Sequence, residues 1–112
     1  MKVSFLDLRK TNNSLRQEFL EASARVLDSG WLIQGSECTA FESEFATFTQ
    51  TNHCIGVGNG LDALRLILEA YDIGPGDEVI VPSQTFIATW LAVSACGATP
   101  VPVDICPATA NI

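Results

Sequence analysis

The stretch from Ile55 to Leu68 limits most what this chain can fold into. A short apolar run ends in Gly56, Gly58 and Gly60, and apolar residues then recur at Leu61, Ala63, Leu64, Ile67 and Leu68, which is helical spacing. The pattern reads as strand, glycine loop, helix. Glycines let a backbone come close to a ligand, and the unpaired amides of a helix's first turn, aided by its dipole, suit an anion such as phosphate. The expected phosphate seat is Asn59, Gly60, Leu61 and Asp62. A carboxylate beside a phosphate is repulsive. Asp62 is therefore expected to turn its side chain away, capping or pairing elsewhere, while its backbone amide faces the anion.

A chain of 112 residues with 47% hydrophobic content is globular, and its length supplies at most one domain. It reads as a single partial domain, with N-terminal helices over residues 1–52 and the start of an α/β domain over 53–112. The formal charge is −7, and the few bases are scattered rather than gathered on one face, which argues against a nucleic-acid partner. No apolar run reaches the roughly 20 residues that span a bilayer, and no signal-peptide pattern opens the chain, so no membrane partner and a cytoplasmic location are expected. Cys38, Cys54, Cys96 and Cys106 form no CxxC pair and have one histidine, His53, to join them, so no metal site is expected. Each is expected reduced, in an apolar setting.

Met1 to Leu8 reads as an arm. A helix is expected from about Leu15 to Ser29, with Ser14 and Gln17 as a capping box and Gly30 as its stop. The link Gly30-Trp31-Leu32-Ile33-Gln34-Gly35 follows, and a second helix starts after Ser36 as N-cap. That helix aligns Phe41, Phe45 and Phe48 on one stripe, read as core. His53 to Val57 is the first expected strand and Gly60 to Tyr71 the third helix. The turn-rich Asp72 to Asp77 leads into a strand at Glu78 to Val81 that Pro82 stops. Thr85 to Cys96 is apolar nearly all round, which predicts a buried helix, and Val101 to Ile105 is a third strand. The fold class is therefore α/β: two helices, then βαβαβ units with a parallel sheet.

Ligands of such sheets lie beyond the carboxyl ends of the strands. The glycine loop, the loop Pro82 to Phe86, and Asp104 should all open on that edge. A flat ring at Phe86 could stack on a planar cofactor; burial in the core is the alternative. A dinucleotide-binding domain is the rival reading, because Gly58 to Ala63 fits G-x-G-x-x-A. That fingerprint also wants an acid at the end of the second strand, where this chain has Pro82-Ser83-Gln84. A non-enzymatic nucleotide- or phosphate-binding Rossmann-like module remains the alternative.

Gly58-Asn59-Gly60-Leu61-Asp62-Ala63-Leu64, Gly74 to Ser83, Thr85-Phe86-Ile87-Ala88-Thr89, Gly97 to Val101 and Val103-Asp104 together resemble the DegT/DnrJ/EryC1/StrS sugar aminotransferases. Gly30-Trp31 and Phe41 to Ala46 are similar to that family's N-terminal segment. The resemblance implies a portion of the large cofactor domain of a fold type I, aspartate-aminotransferase-like enzyme. It implies pyridoxal 5'-phosphate as cofactor, and transfer of an amino group, typically from glutamate, to a keto group on a nucleotide-linked deoxysugar. It further implies polysaccharide or secondary-metabolite sugar biosynthesis and a homodimer.

By similarity, Asn59, Gly60, Leu61 and Asp62 would hold the cofactor phosphate, and Phe86 would stack on the pyridine ring. Many relatives carry Thr where Leu61 stands, so a hydroxyl contact to phosphate is absent here. Trp31 is a bare candidate on the substrate side. The family's Schiff-base lysine, and the acid that pairs with the pyridine nitrogen, lie downstream of the part seen here. Lys2 and Lys10 match no family lysine. The resemblance thus implies an N-terminal piece with no catalytic residue of its own, inactive alone.

Overall fold

The computed structural model describes residues 3–112, so part of the expected Met1 to Leu8 arm, and Lys2, lie outside the described residues. The chain forms two units, Met1–Gly56 and Val57–Ile112.

The first unit is helical. A short α1, Arg9–Ser14, precedes α2, Arg16–Ser29, and α3, Ser36–Thr49. α2 matches the expected helix to within a residue, whereas α1 has no counterpart in the sequence reading. Ser14 Oγ donates to the Thr11 carbonyl at 2.8 Å instead of capping α2, so no capping box forms with Gln17. Local backbone competition of this kind is common for serine. Gly30 does close α2, in the left-handed conformation at φ 68° that glycine takes without strain. Ser36 is the first residue of α3 and Gly35 its cap, one position earlier than expected. Arg25 on α2 donates to both carboxylate oxygens of Glu37 on α3, at 2.7 and 3.0 Å. This bidentate pair bridges the Gly30 to Gly35 link.

The Phe41, Phe45 and Phe48 stripe forms, with ring centroids 5.5 and 6.2 Å apart. It is not core: the three are 54%, 44% and 82% exposed. Periodicity sets which side chains share a stripe, but burial needs an element laid against it, and none in this unit is. Nor do residues 53–57 form a strand; they run irregularly, with Ile55 79% exposed. A strand exists only where a partner completes its ladder. What fixes this segment is Glu42, whose carboxylate accepts the Gly56 amide at 2.7 Å.

The second unit is built on α4, Gly60–Ala70, then β1, Glu78–Pro82, α5, Ala88–Ala95, and β2, Thr99–Val103. β1 and β2 pair in parallel, Glu78 opposite Thr99 and Pro82 opposite Val103, with α5 as the crossover. One βαβ unit is thus present among the described residues. β2 begins and ends two residues before the expected strand. Its polar groups explain two prolines in a strand. Thr99 N donates to Asp77 O at 2.9 Å and Ser83 N donates to Val103 O at 2.8 Å, so the odd-numbered residues of β2 face β1. Pro100 and Pro102 therefore turn to the outer edge, where no ladder donor is required and another strand finds none.

Val81 and Val93, each 2% exposed, and Ala98 form the core, with Leu68, Ile73, Val79 and Trp90 packed against it. Each buried valine contributes roughly 1.5–3 kcal/mol. α5 is shorter than expected: Thr85, Phe86 and Ile87 precede it, and Leu91 on its outer side is 49% exposed.

Candidate functional site

Short connections set where the site residues stand. The tight turn after α4 sends β1 back alongside it, and α5 in turn runs back from the end of β1. The C-terminal end of α5 lies against the middle of α4, the Cys96 thiol donating to the Arg65 carbonyl at 3.6 Å. Both helix N-termini therefore face the edge where β1 and β2 end.

At the first of them Asn59, in extended backbone, caps α4. Its side-chain oxygen accepts the Asp62 amide at 3.0 Å, and its own carbonyl accepts the Ala63 amide at 3.1 Å. Asn59 Nδ2 donates back to Asp62 Oδ2 at 2.9 Å, which closes a reciprocal pair. The Asp62 carboxylate thus turns away and pairs with Asn59. The Asp62 amide is already held by Asn59, and the carboxylate folds back over Gly58, where an added Cβ would lie 3.2 Å from Oδ2. Asparagine is a strong N-cap and takes the nearest orphan amide. The amides of Gly60 and Leu61 have no acceptor among the described residues. A Cβ built at Gly60 meets nothing within 4 Å, so this turn is open to an approaching anion.

At the second, Phe86 stands just before α5 with its ring 78% exposed, so the core alternative is not realised in this unit. Thr89 N donates to Phe86 O at 3.1 Å, and the Thr85 and Thr89 hydroxyls lie 3.2 Å apart. The α4 turn thus leaves the Gly60 and Leu61 amides without an acceptor among the described residues, and the Phe86 ring is exposed. Trp31 lies in the other unit, on the link after α2, where its indole N–H donates to the Ile33 carbonyl.

The structure adds a contact absent from the sequence reading. Ser83 and Asp104 follow the paired Pro82 and Val103, and the Ser83 hydroxyl donates to Asp104 Oδ1 at 3.3 Å. The signal was available: residues one step past a register pair are themselves neighbours. Cys106 is also corrected. It is exposed rather than apolar-packed, and hydrogen bonds from the Ala108 amide and from the Thr109 hydroxyl and amide hold its thiol below the usual range. Among the described residues no group of three His, Cys, Asp or Glu could hold a metal ion, and no helix is long and apolar enough to cross a membrane.

The dTDP-3-amino-3,4,6-trideoxy-alpha-D-glucose transaminase of Streptomyces venezuelae is 58% identical over 103 residues, 92% of this chain and 27% of that protein. The dTDP-3-amino-3,6-dideoxy-alpha-D-galactopyranose transaminase of Aneurinibacillus thermoaerophilus is 58% identical over 102 residues, 91% of this chain and 28% of its own length. The X-ray structure of S. venezuelae DesV superposes with a TM-score of 0.87 at 57% identity, covering 94% of this chain and 28% of that one. This chain thus spans little more than a quarter of the length of these relatives. Residues 13–112 match the DegT/DnrJ/EryC1/StrS aminotransferase family, whose enzymes depend on pyridoxal phosphate and share fold type I. The chain belongs to that family of sugar aminotransferases.

Proposed function

We propose that this chain supplies part of the cofactor seat of a pyridoxal-phosphate-dependent transaminase acting at C3 of a dTDP-linked keto-deoxysugar, with glutamate as amino donor. The observation that carries this reading is the family match over residues 13–112 together with two relatives, each 58% identical, whose names specify 3-amino dTDP-sugars. The site geometry supports it. The Gly60 and Leu61 amides would donate to the cofactor phosphate, while Asn59 holds the first turn of α4 so that they point outward. Asp62 serves through its bond to Asn59 rather than through its amide. Phe86 would cover one face of the pyridine ring and exclude water from it.

Pyridoxal phosphate supplies the electron sink for amino transfer when bound. The reaction also needs a lysine amine at the cofactor carbonyl to carry the proton. The only lysines here are Lys2 and Lys10, and Lys10 is exposed on α1 in the other unit. On this reading the 112-residue chain by itself has no turnover.

The test is direct. Titration of the chain with pyridoxal phosphate, followed by tryptophan fluorescence, should show saturable binding that inorganic phosphate competes away. Borohydride reduction followed by mass analysis should find no lysine adduct. The complete reading frame that holds this sequence should consume glutamate with a dTDP-3-keto-6-deoxyhexose. An adduct at Lys2 or Lys10 accompanied by turnover would refute the inactivity; absence of any phosphate-competed binding would refute the seat.

A further inference from the structure

We infer that Asp104 is a positioning residue for Phe86, acting through Ser83; this rests on the cofactor seat proposed above. Phe86 is 78% exposed, so burial does little to fix its place. The backbone that carries it is nonetheless tied at both ends. On the strand side, Ser83 is joined twice to the exit of β2, its amide to Val103 O at 2.8 Å and its hydroxyl to Asp104 Oδ1 at 3.3 Å. On the helix side, Thr89 N holds Phe86 O at 3.1 Å, and the Thr85 and Thr89 hydroxyls meet at 3.2 Å. The backbone bonds belong to the fold itself, and Thr85 with Thr89 ties the loop only to its own helix. Asp104 is the side chain that ties the loop to a different strand. Its carboxylate has no other protein donor among the described residues, and Asp104 follows the last paired residue of β2, Val103. Holding Ser83 holds the start of the loop, and so fixes where the Phe86 ring stands relative to the α4 N-terminus.

Asp104 acts as an acceptor, not as a charge. The Asp104→Asn variant keeps a side-chain amide oxygen that accepts the same hydroxyl proton, whereas Asp104→Ala offers no acceptor. The experiment compares wild type, Asp104→Ala, Asp104→Asn and Ser83→Ala, all at positions outside the core. Two readouts are taken on the 112-residue chain: amide hydrogen exchange across residues 83–89, and binding of pyridoxal phosphate beside binding of inorganic phosphate.

Asp104→Ala and Ser83→Ala should each speed exchange at the position 83 amide by about two- to fivefold, the size of one exposed hydrogen bond. Both should weaken pyridoxal phosphate by a similar factor while leaving inorganic phosphate unchanged, because the α4 amides are untouched. Asp104→Asn should match wild type in both. Unchanged exchange in Asp104→Ala overturns the inference, as does Asp104→Asn behaving like Asp104→Ala. Equal weakening of both ligands overturns it too, since that marks a general loss of structure. If wild type binds neither ligand, the cofactor seat itself fails, and the exchange comparison alone decides whether Asp104 holds the loop.

Discussion

Replacing Asn59 by alanine removes both halves of the reciprocal pair at the start of α4. The first loss is the N-cap acceptor of the Asp62 amide, 3.0 Å away. Caps of this type are worth about 1 kcal/mol, with a range of roughly 0.5–2. The second is the bond from Asn59 Nδ2 to Asp62 Oδ2 at 2.9 Å. It lies at the surface and adds about 0.5 kcal/mol at most. The sum is about 1.5 kcal/mol. For a small domain with a urea m-value of about 1 kcal/mol/M, this lowers the unfolding midpoint by about 1.5 M. Asn59→Ser keeps an acceptor for the amide and should recover about two-thirds of that loss. The assay is urea unfolding followed by far-UV circular dichroism, with Trp90 fluorescence as a second probe of the same unit. An Asn59→Ala midpoint within about 0.3 M of wild type would refute the claim that this pair holds the turn, and with it the account of why Asp62 cannot offer its amide to an anion.

Gly97 sits at φ +81°, and an added Cβ would lie 3.1 Å from Pro75 Cγ, so Gly97→Ala should destabilise the second unit by about 1–3 kcal/mol, read as a lower urea midpoint. Arg25 holds the Glu37 carboxyl below its ordinary value of 4.5, chiefly through their hydrogen bonds. A depressed carboxylate contributes stability that is fully present above the unfolded value and lost as pH falls through the lower folded one. Acidification from about pH 5 should therefore release the α2–α3 bridge in wild type and change nothing there in Glu37→Gln, as followed by the Arg25 side-chain NMR signals. Cys106, exposed and with its thiol held below the usual 9.0, should react with iodoacetamide at neutral pH faster than the half-buried Cys38, Cys54 and Cys96. Peptide mass analysis over time reads this directly, and Thr109→Ala should slow it.

The sequence by itself determined the pieces whose causes are local. α4 follows from apolar spacing after a run of glycines and an asparagine able to cap, and its observed start at Gly60 is the expected one. β1 follows from a dense turn and then Glu78-Val79-Ile80-Val81, although the ladder carries it one residue further, through Pro82. The family was legible too, because spaced motifs survive in the order of residues. What only tertiary structure decided were the matters that depend on residues far apart in the chain. The segment 53–57 has strand composition but no partner to pair with among the described residues, and it forms no strand. The phenylalanine stripe of α3 is real, yet its exposure is set by what packs on it. That the Asp62 side chain turns away was legible from its charge, but that its partner is Asn59 appeared only in the folded turn. The expected strand Val101 to Ile105 lies at Thr99–Val103 instead, because its register is set by pairing with β1, which leaves Pro100 and Pro102 facing outward. Periodicity and capping are properties of a few consecutive residues, whereas ladder pairing, burial and the tie between Ser83 and Asp104 exist only once distant segments meet.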